Sequence, residues 1–194
     1  AIKRPSESMR IIGGRARGLK LAEVGAGDPA AHLRPTSDRV REAIFNLLVN
    51  GGYGNPLQGA RVLDLFAGTG ALGLEALSRG ATHTTFVENG KAALALLTRN
   101  IALMRTEAET SILRRDVRTL GANPGPAFDV VFLDPPYGKA MGEAALEAAR
   151  AGSWLAPQSL IVWEEGSAPT LPEGFTLEDQ RKYGDTLVTI ARAP

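Results

Sequence analysis

The chain has 194 residues, of which 44% are hydrophobic and 22% are charged, and its formal net charge is +1. These values are typical of a globular protein with one main domain and argue against global disorder. No segment approaches the roughly 20 apolar residues of a membrane helix, and the first residues lack the apolar core of a secretory signal, so we expect a cytoplasmic protein without a membrane partner. With no cysteine and two histidines, the chain is not expected to form disulfides, thiolate metal sites or a histidine-built metal cluster.

Positive charge is concentrated at the front of the chain, where residues 1–50 contain nine Lys/Arg and five Asp/Glu. We expect the first eight residues to be a tail without a role. From Met9, two short apolar runs flank a Gly-rich basic turn, which predicts a β-hairpin with arginines at its tip. Such a cationic surface suits a polyanion such as nucleic acid, although a solvated basic segment without a partner remains the alternative.

A looser segment rich in Gly, Ala and Pro follows the hairpin, up to about residue 31. A helix is then predicted to begin at Pro35-Thr36-Ser37, with Arg39 and Glu42 on its polar face. The apolar positions that indicate this helix recur at i, i+4, i+7 and i+8: Val40, Ile44, Leu47 and Leu48. Three glycines and a proline in residues 51–56 end it.

Beyond this break, strands alternate with helices. The predicted strands are 61–66, 84–88, 111–114, 129–133, 160–164, 175–181 and 186–191, and the predicted helices are 69–79, 91–104 and 142–151. This order predicts an α/β fold with a doubly wound, mostly parallel seven-stranded sheet that closes in an antiparallel C-terminal strand, extended by the small N-terminal β-hairpin and helix.

A glycine-rich turn follows the first strand of this sheet. Gly68, Gly70 and Gly73 satisfy G-x-G-x-x-G, and Glu88 ends the next strand, where an acid commonly holds a ribose diol. NAD, S-adenosylmethionine and a purely structural turn all fit this motif. Asp64 favours S-adenosylmethionine, because a negative charge at the strand end suits a sulfonium better than a pyrophosphate. Asp64 could also cap the turn, and the two roles can coexist.

The predicted strand 129–133 ends in Asp134-Pro135-Pro136-Tyr137, at the edge of the sheet where ligands bind. The prolines stiffen the loop, so the Asp134 carboxylate and the Pro135 carbonyl can present two acceptors to an exocyclic amine. Fixed acceptors would expose the lone pair of that amine to an electrophilic methyl group. Tyr137 would stack on an extruded base. The alternative is a proline-stiffened turn with a packed tyrosine.

Asp116 follows the third strand and could accept a hydrogen bond from the amine of a cofactor adenine, with Val117 covering the ring. An isolated aspartate after a strand is as often a helix cap. The histidines His32 and His83 have no evident partners and are expected to be structural or exposed, and the two tryptophans Trp154 and Trp163 are expected in the core.

Several further motifs match one family over nearly everything from Met9 onward. They are R-I-I-G-G at 10–14, R-G at 17–18, L-R-P-T at 33–36, D-R-V-R-E at 38–42, D-L-F-A-G-T-G at 64–70, G-A-L-G-L-E-A-L-S-R-G at 70–80, D-P-P-Y at 134–137 and K-Y-G-D-T at 182–186. Together they resemble the bacterial 16S rRNA (guanine-N2)-methyltransferases, a Rossmann-like family that depends on S-adenosylmethionine. The segment 22–32 departs from this pattern, since it is longer and richer in Ala and Gly.

This resemblance implies methylation of one guanine N2 in 16S rRNA, within the small ribosomal subunit or a late assembly intermediate, by a monomer that needs no metal. We expect residues 1–50 to form an extension for RNA contact and residues 51–194 to form the methyltransferase domain. The implied cofactor-binding residues are Asp64, Gly68, Gly70, Glu88, Asp116 and Val117; the implied catalytic residues are Asp134, Pro135 and Tyr137; and the implied RNA-binding residues are Arg10, Arg15, Arg17, Lys20, Arg34 and Thr36.

Two other classes of function stay open from the residues alone. An adenine-N6 DNA methyltransferase could use the same Asp-Pro-Pro-Tyr loop, although we expect no room for a separate domain that reads DNA sequence. The glycine turn by itself permits a nucleotide-binding oxidoreductase, and the hairpin by itself permits a non-catalytic RNA-binding assembly factor.

Overall fold

A seven-stranded sheet in the order β3-β2-β1-β4-β5-β7-β6 forms the centre of the molecule. Its structure is a computed structural model that describes residues 9–23 and 37–194. The expected tail, His32, and the expected RNA contacts Arg34 and Thr36 therefore lie outside the described residues. The strands are β1 Arg61–Leu65, β2 His83–Val87, β3 Thr110–Leu113, β4 Phe128–Leu133, β5 Leu155–Glu165, β6 Thr176–Tyr183 and β7 Thr186–Arg192.

Strands β1 to β5 pair in parallel, and β7 pairs antiparallel with both β5 and β6. The predicted doubly wound α/β sheet with an antiparallel closure is thus confirmed. The predicted start of the fifth strand was wrong, since β5 begins at Leu155 and not at residue 160. The segment Ala156-Pro157-Gln158-Ser159 contains a proline and polar residues that are uncommon in strands, and it enters the sheet through an irregular register beside β4 with Gln158 at φ 61°.

In the described part of the chain, four helices cover the sheet: α1 Asp38–Asn50, α2 Ala71–Ser78, α3 Lys91–Met104 and α4 Met141–Ala151. Helix α1 begins where the sequence predicts, because the Ser37 hydroxyl accepts a hydrogen bond from the Val40 N–H and caps the first turn. Apolar side chains of α1, α2 and α3 share one core cluster on one face of the sheet. Helix α4 packs on the other face with Trp154 and Trp163, which are buried as expected.

Residues 9–21 form the predicted hairpin, although its arms are too short to be regular strands and have a single β-bridge, between Arg10 and Lys20. The Ile11 N–H donates to the Leu19 carbonyl and the Leu21 N–H donates to the Met9 carbonyl. The side chains of Met9, Ile11 and Leu21 are buried in the core cluster of α1, α2 and α3. The hairpin therefore shares its hydrophobic core with the sheet. None of the helices in residues 9–23 and 37–194 is long and apolar enough to cross a membrane.

Candidate active site

The carboxyl ends of three parallel strands meet at one edge of the sheet. Leu65, the last residue of β1, pairs with Val87 of β2 on one side and with Leu133 of β4 on the other. The residues that follow these strands are the glycine turn, Glu88 and Asp134. They lie where the chain order reverses on the two sides of β1, which is the usual ligand position in an open α/β sheet.

The glycine turn between β1 and α2 has a backbone that requires glycine. Gly68 and Gly70 have φ angles of 57° and 84°. A Cβ atom at Gly70 would lie 2.5 Å from Leu97 Cδ1, and one at Gly73 would lie 2.5 Å from the Phe86 ring. The absence of side chains at Gly70 and Gly73 therefore lets the backbone pack directly against α3 and β2. The backbone of the turn stays at the edge of the sheet.

The Glu88 carboxylate ties this turn to the end of β2. It accepts hydrogen bonds from the backbone N–H groups of Gly68 at 2.8 Å, Asn89 at 3.0 Å and Gly90 at 2.8 Å. Its side chain is partly exposed at the sheet edge. The predicted pair of Gly68 and Glu88, twenty positions apart in the chain, is thus brought into direct contact.

Asp64 is buried beneath the turn, with 1% of its surface exposed. Its Oδ2 accepts the Gly73 N–H at 3.0 Å, which is the capping role that the sequence left open. Burial raises the pKa of Asp64 well above its usual value, the Gly73 hydrogen bond opposes this increase, and the nearby charges of Asp134 and Glu88 add to it. The folded protein thus resists a full negative charge at Asp64.

The loop after β4 is anchored to the antiparallel side of the sheet. The Tyr137 hydroxyl and the Thr186 hydroxyl are 3.0 Å apart and share a hydrogen bond. The Tyr137 ring lies against Gly166, where a Cβ atom would come within 2.7 Å of ring carbon Cδ2. The Gly138 N–H donates to Glu165 Oε1 at 3.2 Å, and burial raises the pKa of Glu165. Pro135 is buried and Asp134 is partly exposed, so the loop presents its first residues at the edge beside β1.

Asp116 caps the short 3₁₀ turn Val117–Thr119, which is the capping alternative that its position after a strand left open. Its carboxylate accepts the Arg118 N–H at 2.8 Å and pairs with the Arg118 guanidinium at 2.6 Å. These hydrogen bonds lower the pKa of Asp116 to about 2. Val117 is buried below it. The sequence reasoning missed Arg118, although a cation two residues after a capping acid is a readable signal.

A cleft of about 810 Å³ opens between the start of α1 and the β6–β7 turn. Its lining residues are Ser37, Arg39, Val40, Ala43, Glu164, Lys182, Tyr183, Gly184, Asp185 and Thr186. Thr186 connects the cleft to Tyr137 through their shared hydrogen bond. Sequence reasoning did not identify the cleft, although the motif K-Y-G-D-T at 182–186 supplies half of its lining.

The basic hairpin is docked on α2 through its backbone. The Glu75 carboxylate accepts the N–H groups of Ile12 at 2.8 Å and Gly13 at 3.0 Å. The four predicted RNA-binding residues of the hairpin, Arg10, Arg15, Arg17 and Lys20, are all exposed. Across the described residues, no group of three His, Asp or Glu side chains is arranged to hold a metal ion.

Comparison with known proteins identifies the family. Residues 9–192 match the family model described as conserved hypothetical protein 95. The ribosomal RNA small subunit methyltransferase D of Escherichia coli K12 is 35% identical over 190 residues, covering 94% of this chain and 91% of that protein. Its Haemophilus influenzae counterpart is 37% identical over 181 residues, covering 91% and 89%. The solved structure of Escherichia coli yhhF superposes with a TM-score of 0.79 at 32% identity, covering 96% of this chain and 98% of that one.

The chain belongs to this family of rRNA methyltransferases. The resemblance read from the motifs is therefore confirmed, and so is the Rossmann-like fold that it implied. The region matched by the family model, residues 9–192, includes the hairpin as well as the sheet.

Proposed function

We propose that the chain transfers a methyl group from S-adenosylmethionine to the N2 amine of a guanosine in small-subunit rRNA. The observation that carries this proposal is the position of the Asp134-Pro135-Pro136-Tyr137 loop directly beside the glycine turn, at the reversal point of the sheet. The end of β1 would thus bind the cofactor, and the end of the neighbouring strand β4 would bind the amine that accepts the methyl group. The names of both curated relatives specify small-subunit rRNA as their substrate.

The cofactor side of this edge fits S-adenosylmethionine. Gly68 and Gly70 have positive φ angles and no side chain, so a cofactor can approach the backbone of the turn closely. Glu88 stands at the end of β2, where an acid holds a ribose diol. Asp116 and Val117 follow β3 and would border the adenine. When bound, S-adenosylmethionine supplies an electrophilic methyl group on a positively charged sulfur.

The acceptor side supplies oxygen atoms for an amine. The Asp134 carboxylate and the Pro135 carbonyl would accept hydrogen bonds from the two N–H groups of guanine N2, which leaves the lone pair to face the methyl group. Tyr137 would pack against the base while its hydroxyl stays bonded to Thr186. In the reaction a nitrogen–carbon bond forms, the carbon–sulfur bond breaks, and the amine loses one proton, which Asp134 can accept or pass to water.

The hairpin fits the RNA side of this proposal. Arg10, Arg15, Arg17 and Lys20 form an exposed cationic surface on a hairpin that is fixed to the sheet by buried side chains. Such a surface attracts phosphates without reading sequence. It would orient a folded RNA, while the selection of one guanosine falls to the active-site edge. Arg34 and Thr36 remain proposed RNA contacts on the evidence of the sequence alone.

The test is transfer of labelled methyl groups to small subunits that lack the modification, to naked rRNA and to DNA in parallel. After digestion, label in N2-methylguanosine from the subunits or the rRNA is the expected result. Label in N6-methyladenosine would instead support an adenine methyltransferase. Cofactor binding without any labelled nucleoside would contradict the assigned substrate.

A further inference from the structure

Glu164, near the end of β5, is a buried carboxylate that the methyl transfer itself does not require. It lines the 810 Å³ cleft beside the acceptor loop, and 2% of its surface is exposed. A carboxylate placed in a cleft of this kind accepts hydrogen bonds and donates none. Its position relative to Asp134 determines which edge of a base it would meet.

The strand register places Glu164 beside Asp134. Leu133 of β4 pairs with Trp163 of β5, so Asp134 and Glu164 occupy the next positions on two adjacent strands. Neighbouring strands are about 4.8 Å apart. Trp163 packs on the α4 face of the sheet. Because side chains alternate along a strand, Glu164 belongs to the opposite face, where Val40 and Ala43 of α1 also line the cleft.

The guanine edge that carries N2 presents two neighbouring donors, the N2 amine and the N1–H. Adenine presents its N6 amine beside N1 as well, but adenine N1 is an acceptor. We infer that Glu164 accepts the N1–H of the same guanine whose N2 amine is held by Asp134, and so makes the site specific for guanine. This inference rests on the proposed function, and it assigns base selection to a residue outside the Asp-Pro-Pro-Tyr loop.

The physical basis is the mismatch that adenine would create. With its amine on Asp134, adenine would bring the N1 lone pair against the Glu164 carboxylate, so that two acceptors would face each other. A site built to hydrogen-bond a substrate N–H strongly rejects an analogue that has an acceptor in its place. The Asp134 loop by itself suits either amine, so a second acceptor is what separates the two bases.

The remaining lining of the cleft suits a nucleotide. Its volume falls in the range of small-ligand pockets. Arg39 and Lys182 are exposed at its rim and can pair with the phosphates that flank an extruded base. Tyr183 adds an aromatic ring at the β6–β7 turn. The cleft thus has cations at its rim and a carboxylate in its interior. A nucleotide that inserts its base would place its phosphates at the cations and its base at the carboxylate.

The experiment replaces the guanosine that the wild-type protein labels, once it has been located by mass spectrometry of RNA fragments, with 2-aminopurine riboside. This analogue keeps the 2-amino group and lacks both the N1–H and O6; loss of O6 affects the wild-type protein and Glu164→Gln alike, so the difference between the two proteins reports the N1–H. We expect its kcat/KM with the wild-type protein to be roughly 10 to 100 times lower than that of guanosine, the effect of one hydrogen bond to a charged group. Glu164→Gln should methylate guanosine more slowly and largely lose this preference, because its amide can turn and donate to N1.

Glu173→Gln is the matched control, since it removes an exposed negative charge outside the cleft and should keep the wild-type preference. The inference is overturned if the wild-type protein methylates both RNAs equally well, or if Glu164→Gln lowers both rates by the same factor, as a purely structural residue would. If Glu164→Gln loses its cooperative thermal transition, the wild-type comparison of the two RNAs decides. Absence of any N2-methylguanosine with the wild-type protein would instead contradict the proposed function.

Discussion

The hairpin junction and the carboxyl edge of the sheet both use a buried carboxylate to hold backbone N–H groups, but they balance its charge differently. At the junction, Glu75 is fully buried and lies 3.6 Å from Arg41 and 2.9 Å from Arg79. At the edge, Asp64 is just as buried, and the charges around it that shift its pKa come from Asp134 and Glu88. The junction carboxylate is therefore neutralised by two guanidinium groups, whereas Asp64 has acidic neighbours and a raised pKa that favours its neutral form.

This difference separates the part of the molecule that stabilises the fold from the part that binds. Removing one partner of a buried ion pair costs stability, because the other charge stays buried. Substitutions at the junction should therefore change the free energy of unfolding. Negative groups held close together cost stability without a ligand and favour a cationic one. A sulfonium cofactor would supply the positive charge that the edge lacks. Substitutions in the two regions should accordingly affect different measurements.

The largest effect on stability is expected at the junction. Glu75→Gln should lower the free energy of unfolding by about 1 to 3 kcal/mol, because Arg41, which is 0% exposed, loses its pair with Glu75 and keeps only its 2.7 Å pair with the partly exposed Asp38. Urea unfolding followed by circular dichroism measures this loss. Glu147→Gln is the control, because its pair with Arg150 at 2.7 Å is exposed and should contribute less than about 1 kcal/mol. Equal losses in the two variants would contradict the assignment of the junction as the stabilising region.

The largest effect on chemistry is expected at the edge. Asp134→Ala should slow methyl transfer by about 100- to 1000-fold, because it removes an acceptor for the amine and for its proton. Affinity for S-adenosylmethionine, measured by calorimetry, should stay within a few-fold of wild type. Glu173→Ala, which removes an exposed carboxylate outside the cleft, provides the control. Turnover near the wild-type rate in Asp134→Ala would remove this residue from the mechanism.

Glu88→Ala should produce the opposite pattern at the same edge. Loss of its bonds to the proposed ribose and to the Gly68 N–H should weaken S-adenosylmethionine binding by roughly 10- to 100-fold, with a smaller change in kcat at saturating cofactor. Calorimetry with the cofactor and its demethylated product checks this directly. Unchanged affinity would show that Glu88 serves the glycine turn and not the cofactor.

The edge was largely predictable from sequence because its determinants are local. The glycine turn and the Asp134 loop are each encoded by a short run of consecutive residues. The alternation of strands and helices predicts a parallel sheet, in which the carboxyl ends of neighbouring strands lie together. Which atoms the acids contact was less predictable. Asp64 and Asp116 each bond backbone N–H groups in their own segment, an alternative that their spacing left open.

The junction and the cleft were not predictable, because both depend on residues distant in the chain. Arg41 and Glu75 are 34 positions apart, and neither is in a motif that implies its partner. The cleft combines α1 with a turn near residue 184, so its existence depends on how β7 pairs with β5. Single-chain patterns carry periodicity and turn chemistry, but they do not specify such long-range contacts.

A smaller effect, dependent on pH, should appear in Asp64→Asn. Because the pKa of Asp64 is raised in the folded state, its stabilising contribution is present below its unfolded pKa and is lost as pH rises towards the folded value. Asparagine stays neutral and can still accept the Gly73 N–H. The variant should therefore gain unfolding free energy relative to wild type as pH increases from 4.5 to 7.5 in urea titrations. A difference that does not change with pH would contradict a raised pKa at this site.

The smallest effect on RNA binding is expected for a single substitution at the hairpin tip, the surface that the junction holds in place. Arg17→Gln should weaken RNA affinity only a few-fold, and the slope of log affinity against log salt should fall by about one if Arg17 contacts a phosphate. Filter binding at several salt concentrations measures both quantities, and the methylated nucleoside should not change. Arg192→Gln is the control, because Arg192 lies at the end of β7, outside the hairpin, and its side chain faces Glu178 of β6. An unchanged slope in Arg17→Gln would show that Arg17 does not contact a phosphate. It would also contradict the view that the junction holds an RNA-binding surface in place.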